Sequence, residues 1–150
     1  MRINRKLLPD KIFFWHLQGP FACLARTHVA PYKLDGKTWN SVEHYYQAMK
    51  SDDPEVQEMI RQAETPVEAI RIGQVVDVRP DWEEIREDVI RRAYEAKFRQ
   101  NKKWRNIFLK TYGFPLHDAS HHPYWGAKGK DRLGQILMEL RKVLRKERGY

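Results

Sequence analysis

An α+β fold, mainly α-helical and organised as one compact domain over residues 1–150 with a small N-terminal β element, is what this sequence predicts. Three observations lead there. Strand patterns are confined to the first forty residues, helix-start signals recur from Ser41 onward, and no repeat, low-complexity tract or long linker divides the chain. Taken in order, Lys11 to His16 reads as a first strand. Tyr32-Lys33-Leu34 and Lys37-Thr38-Trp39 flank Asp35-Gly36, a dipeptide suited to the positive φ angles of a two-residue turn, and so predict a hairpin. Asp53 before Pro54 and Thr65 before Pro66 each set a capping oxygen ahead of a proline at the first helical position, and Glu68 completes a capping box with Thr65. Helices are predicted at about 41–51, 54–63, 66–74, 81–99, 102–111 and 131–147. In the last, Leu133, Ile136, Leu137, Leu140, Val143 and Leu144 recur at three- and four-residue spacing and make one core-facing stripe, with Arg141, Arg145 and Glu147 elsewhere. The stretch 113–130, rich in His, Pro and Gly, predicts an irregular loop.

Composition excludes several classes. Cys23 is the only cysteine, so an intrachain disulfide is impossible, and small secreted scaffolds and cysteine-rich zinc modules are set aside in favour of a reducing compartment. The longest apolar run, Ile12 to Leu17, is far shorter than the ~20 residues of a membrane span. A soluble, cytoplasmic protein with no membrane association is expected. With 28 Lys+Arg against 20 Asp+Glu the chain carries a net charge of +8, which favours anionic partners such as nucleic acid, nucleotides or sugar phosphates. Much of the excess lies at the ends, in Arg2, Arg5 and Lys6 and in Arg141, Lys142, Arg145, Lys146 and Arg148, where a solvated helix face is the plain alternative. Oligomeric state is not legible at this level.

Two helices carry polar groups where their patterns call for apolar ones. Along 81–99, Trp82, Val89, Ile90 and Ala93 gather on one side, yet Arg86 and Lys97 fall on that same side. A buried cation needs a partner, so either an anionic ligand or salt bridges hold these two, or their stems pack while the charges reach water. In the helix starting near Ser41, Val42, Tyr45 and Met49 define a core face, and Glu43, Gln47 and Lys50 line a neighbouring one. Glu43 and Lys50, seven positions apart, stand roughly 10 Å from each other along the axis and cannot pair directly. They either embrace one ligand, with the carboxylate at the reacting centre and the ammonium on a phosphate, or form an ordinary solvated face.

The 113–130 loop holds a third constellation. His117, His121 and His122 lie close in sequence, but Pro115 and Pro123 break helical register and no Cys or tight acidic partner completes a ligand set, so no metal is predicted. Tyr124-Trp125-Gly126 offers either a flat stacking surface for a base, with Gly126 and Gly129 letting backbone N–H groups approach a phosphate, or an aromatic plug at the core edge.

The block Leu34-Asp35-Gly36-Lys37-Thr38-Trp39 with Ser41-Val42-Glu43-His44-Tyr45-Tyr46-Gln47-Ala48-Met49-Lys50 resembles the central signature of the YbiA/NADAR family of N-glycosidases. Trp82 with Arg86, then Lys97-Phe98-Arg99-Gln100-Asn101, then Trp125-Gly126 leading to Asp131, Leu133-Gly134 and Leu137-Met138-Glu139-Leu140-Arg141, resemble its later motifs in the same order. The resemblance spans roughly residues 20–144. It implies a largely helical α+β domain that cleaves the bond between ribose and a base, in phosphoribosylamino-pyrimidine intermediates of riboflavin synthesis or in ADP-ribosylated guanine of nucleic acid. Such a reaction builds positive charge on the ribose, which Glu43 would stabilise while orienting water. Trp125 or Trp82 would stack on the leaving base, His122 or Asp118 would protonate it, and Lys50, Arg86 and Lys97 would hold phosphates. Gln47, Asn101, Gly126 and Asp131 complete the implied substrate-binding set, and the scheme needs no cofactor and no metal. The chain departs from the family in three places: Ala25-Arg26 stands where Ser-Asn is common, His122 where an Asp three residues before Trp-Gly is common, and Asp131 where Asn is usual. A binding module for ADP-ribose, nucleotide or nucleic acid, without chemistry, is the alternative from another class.

Overall fold

In chain order the structure, a computed structural model that describes residues 10–15 and 17–149, runs β1 (Ile12–Phe14), a 3-10 turn (Ala22–Leu24), β2 (Tyr32–Leu34), β3 (Lys37–Trp39), α1 (Val42–Ala48), α2 (Pro54–Arg61), α3 (Pro66–Gly73), α4 (Trp82–Gln100), α5 (Lys102–Lys110), β4 (Leu116–Asp118) and α6 (Arg132–Glu147). The predicted helices are all present, and the architecture is α+β and mainly helical. The basic residues Arg2, Arg5 and Lys6, and His16 at the end of the predicted first strand, lie outside the described residues. The elements form two compact units, residues 26–102 and residues 1–25 with 103–150. Among the described residues no helix is long and apolar enough to cross a membrane.

In the 26–102 unit the local signals act as read. Ser41 is extended (φ −152°, ψ 166°) and its Oγ accepts the His44 amide, Asp53 accepts the Glu55 amide, and Thr65 accepts the Glu68 amide, so three helices start at side-chain caps. The Glu68 carboxylate reaches back to the Glu64 amide at 2.9 Å, one residue before the cap itself. At the hairpin tip Asp35 (φ 53°) and Gly36 (φ 75°) both adopt the left-handed region, which sets the register Tyr32↔Trp39, Lys33↔Thr38 and Leu34↔Lys37. The outer edge of β2 is not left bare: Gln100 accepts from Lys33 N and donates to Lys33 O, both at 2.7 Å, so a side-chain amide stands in for a further strand. Arg92 and the Tyr45 hydroxyl, each 2.7 Å from the Asp35 carboxylate, anchor the turn to α4 and α1.

One departure in this unit bears on function. All seven residues of α1 are buried, not only the Val42 and Tyr45 face, and the solvated reading of the Glu43 side falls away. His44 illustrates how a polar group survives there: Nδ1 lies 2.7 Å from Ser41 Oγ and Nε2 lies 3.0 Å from Ala63 O. A carbonyl only accepts, so Nε2 donates, and the ring is neutral with both nitrogens satisfied. Burial lowers its pKa from the ordinary histidine value, against the opposing pull of the Ala63 carbonyl.

The second unit corrects two expectations. Residues 113–130 are not wholly irregular, because Leu116–Asp118 forms β4 and pairs in parallel with β1 in the register Ile12↔Leu116, Phe13↔His117, Phe14↔Asp118. Three residues between a proline and a turn carry too short an alternation to be read as a strand; the partner more than one hundred positions away creates it. On α6 the stripe is buried except for Val143, which is 49% exposed, while Arg141 is buried instead. Arg141 Nη1 donates to Thr111 O (2.9 Å), Thr111 Oγ1 (3.1 Å) and Phe114 O (2.8 Å), satisfying carbonyls released at the end of α5.

Candidate active site

Glu43 is 4% exposed, held by two hydrogen bonds and an ion pair. Arg26 Nη2 donates to Oε1 at 3.0 Å, Arg26 Nε lies 2.9 Å from Oε2, and Gln47 Nε2 donates to Oε1 at 2.6 Å. Both hydrogen bonds fall on Oε1, so among the described residues Oε2, beside the Arg26 guanidinium, keeps lone-pair directions for water or substrate. Glu43 does not pair directly with Lys50, as the spacing predicted; its partner is Arg26, seventeen positions upstream. Burial acts to lower the Arg26 pKa, but Glu43, with Tyr46 and Tyr94, together outweigh it and leave the pKa raised.

Tyr46, two residues beyond His44 on the same helix, ties this pair to two other groups. The Arg26 guanidinium carbon lies 4.1 Å from its ring centroid and Lys50 Nζ lies 5.6 Å from it, both within cation–π range. Trp82 packs against the same ring at 5.0 Å between centroids. The Lys50 pKa is lowered, first by burial, with Glu43 opposing the shift and Arg26 adding to it. Gln47 is held by shape as well as by hydrogen bonding: a Cβ on Gly73 would lie 2.0 Å from Gln47 Oε1, so only glycine lets α3 approach it. In this unit the structure therefore gathers Glu43, Gln47, Lys50 and Trp82 with Arg26 and Tyr46, two residues that sequence reasoning did not single out as functional. Tyr46 was visible only as part of the motif block. For Arg26 the one signal was its replacement of a commoner Asn; no spacing rule links it to Glu43.

Three further candidates lie on α4 or at its end. Lys97 has no exposed surface, so its ammonium does not reach water and a dissolved ligand cannot touch it as the chain stands; Tyr94 and Phe98 rings lie 5.9 and 5.6 Å away. Arg86 is half-buried on α4. Asn101 ends that helix, its Nδ2 donating to Lys97 O at 2.8 Å and Pro31 O at 3.1 Å, which makes it a C-terminal cap.

In the other unit, Trp125 is 1% exposed and packs edge-on to Tyr124 at 4.8 Å, so the plug reading holds and the open stacking platform does not. The Gly126 amide donates to His122 O at 2.8 Å and the Gly129 amide to Gly126 O at 3.0 Å, leaving neither for a phosphate. A Cβ on Gly126 would sit 2.3 Å from Ser120 O, which is why glycine is required there. Asp118 is buried and accepts from Ser120 N (2.8 Å) and Ser120 Oγ (2.9 Å), anchoring a tight turn. His122 Nδ1 accepts from Tyr124 N (3.1 Å) and Trp125 N (3.2 Å), so its exposed ring carries the proton on Nε2. Protonating Nδ1 would break both contacts. Asp131 (φ 52°) sends Oδ2 to His117 Nδ1 at 2.6 Å. Among the described residues no group of three or more His, Cys, Asp or Glu is placed to hold a metal ion.

With this geometry in hand, comparison with known proteins is informative. The family model described as NADAR domain matches residues 13–145. The chain is 37% identical over 150 residues to the N-glycosidase YbiA of Escherichia coli, covering 95% of this chain and 94% of that one. It is 32% identical to a riboflavin biosynthesis protein of Vibrio vulnificus, covering 99% of this chain and 42% of that protein. The NMR structure of the E. coli protein YbiA superposes with a TM-score of 0.85 at 37% identity, over 95% of this chain and 89% of the other.

Proposed function

Since the chain belongs to the NADAR domain family, we propose that it is an N-glycoside hydrolase that cleaves the C1′–N bond of a phosphorylated ribosyl N-glycoside, with phosphoribosylamino-pyrimidine intermediates of riboflavin synthesis as the first substrates to test. The observation that carries this reading is Glu43, a nearly enclosed carboxylate in the motif block, aimed by Arg26 and Gln47 beside the Lys50 ammonium. Because one family model runs from 13 to 145, we treat residues 1–150 as one functional domain.

As the glycosidic bond stretches, the departing base takes the bonding electron pair and the ribose ring becomes cationic. Glu43, fixed by Arg26 and Gln47, presents charge to that ring without reorganising, and its Oε2 receives a proton from the attacking water. Water adds to C1′, and the base that left with the electron pair takes a proton from solvent to become the free base, while Glu43 returns its proton to solvent. Lys50 serves the phosphate: a point charge partly withdrawn from water makes a stronger contact than a fully hydrated one. Trp82 and Tyr46 provide the aromatic wall beside it. His122 and Asp118, expected from the sequence to serve the leaving base, belong to the other unit, where His122 presents an Nε2–H and Asp118 is engaged with Ser120.

Arg26 favours a second reading. By neutralising Glu43 it weakens the field that a cationic ribose would feel, and a protein so arranged would bind ADP-ribose or a nucleotide without cutting it. Release of free base, measured with the phosphoribosylamino-pyrimidine and with an ADP-ribosylated guanine oligonucleotide, separates the two. Release from the pyrimidine, lost in Glu43→Gln, supports the hydrolase, and release from the oligonucleotide alone moves the substrate to nucleic acid. Tight binding with no base released from either leaves the binder.

A further inference from the structure

The last turns of α6 carry a groove that this chemistry does not use. It encloses about 780 Å³ between the helix and the turn after α5, within the range of about 300–1,000 Å³ typical of ligand sites. Met138, Arg141, Lys142, Arg145 and Lys146 line one wall, at the three- and four-residue spacing of a single helix face. Four of these five are cations, and no Asp or Glu lines the groove. The opposite side is apolar, built by Gly113, Phe114 and Pro115. At its mouth Tyr112 is 51% exposed with the Arg145 guanidinium 3.5 Å from its ring centroid.

A solvated basic helix would show none of this enclosure. Here the long stems frame a trough, an aromatic ring stands at the rim already stacked by a guanidinium, and the buried Arg141 is locked to three oxygens behind them. Burial lowers the Arg141 pKa and the neighbouring Arg145 adds to the shift, a like-charge strain that an anion would relieve. The recurring chemistry of such a surface is a phosphate chain along the cations with bases laid against the aromatic and apolar side. We propose that this groove binds single-stranded nucleic acid, its backbone held by Lys142, Lys146 and Arg145 and a base stacked at Tyr112. The proposal is independent of the glycosidase reading, since no residue of the groove belongs to the Glu43 cluster.

The test is fluorescence anisotropy with a labelled oligothymidylate of about 15 nucleotides, titrated at roughly 50 and 200 mM salt. Wild type should bind with a strong salt dependence. Lys142→Glu/Lys146→Glu should weaken binding at least about tenfold and flatten the log–log salt slope by ~1.4, about 0.7 for each lost phosphate contact. Tyr112→Ala should lose at least about fivefold with the slope unchanged. Both exposed lysines lie outside the Glu43 cluster, so base release and thermal unfolding should match wild type in that double variant. No binding by wild type, or wild-type affinity in the lysine variant, overturns the proposal. Wild-type affinity in Tyr112→Ala with equal competition by inorganic polyphosphate also overturns it, as that describes an ion-exchange surface. Competition by thymidine monophosphate as effective as the oligomer refutes the strand in favour of a free nucleotide.

Discussion

Around α1 the cations Arg26 and Lys50 lie among buried groups, one locked to Glu43 and both near the Tyr46 ring, whereas on α6 Lys142 and Lys146 stand in water beside an apolar trough. The same residue types meet opposite constraints. A charge drawn into the protein loses hydration that only a partner replaces, so the α1 cluster must be satisfied before any ligand arrives. A charge left in water needs no such partner and is available to a polyanion, but contributes little to stability. Removing a cation should therefore damage folding or chemistry around α1, and on α6 only binding.

The largest effect expected is Arg26→Ala, which leaves a buried carboxylate uncompensated and should lower stability by about 3–5 kcal/mol in denaturant unfolding. A loss below about 1 kcal/mol would show that water replaces the guanidinium and would erase the contrast with α6. Next is Glu43→Gln, which keeps the shape and removes the charge. Its kcat for base release should fall at least ~10²-fold with a small change in KM, and a wild-type rate would remove Glu43 from the chemistry.

Lys50→Ala should weaken phosphorylated substrate by about 1.5–3 kcal/mol, read as a rise in KM, and leave a dephosphorylated analogue nearly unaffected. Its lowered pKa adds a sign. Lys50 is charged below that pKa, so KM should climb on the alkaline side at a pH below the ordinary lysine value of about 10.4, and this climb should vanish in Lys50→Ala. An unchanged climb in the variant would assign it elsewhere.

A smaller effect follows from His44. Its pKa is lowered on folding, so the unfolded chain takes up the proton first, and its contribution to stability is complete above about pH 6.5 and declines as pH falls through the folded value. Thermal unfolding in mildly acidic buffer should show that decline, and a flat profile would mean that folding leaves the protonation of His44 unchanged. The smallest effect belongs to Lys146→Ala, expected within about 0.5 kcal/mol of wild type in stability.

How much of this was legible in the sequence differs between the two units. The hairpin, the caps and the helices of 26–102 rest on contacts a few residues apart, such as Asp35 with Gly36 or Thr65 with Glu68, and local patterns report them. β4 was not legible, because a three-residue strand exists only through β1 far away in sequence. The aromatic of Tyr124-Trp125-Gly126 had two readings that a loop sequence cannot separate, and burial chose the plug.

By itself the sequence determined the helical content, the hairpin register and the block holding Glu43, Gln47 and Lys50, since spacing along one helix sets which side chains share a face. Only the tertiary structure decided what those side chains do. It brought Arg26 to Glu43 and Tyr46 beneath two cations, enclosed Lys97, sealed Trp125 and turned Arg141 inward. Each of these depends on whether water is excluded at a point, and water exclusion is a property of packed neighbours from distant segments, which no periodicity along the chain contains.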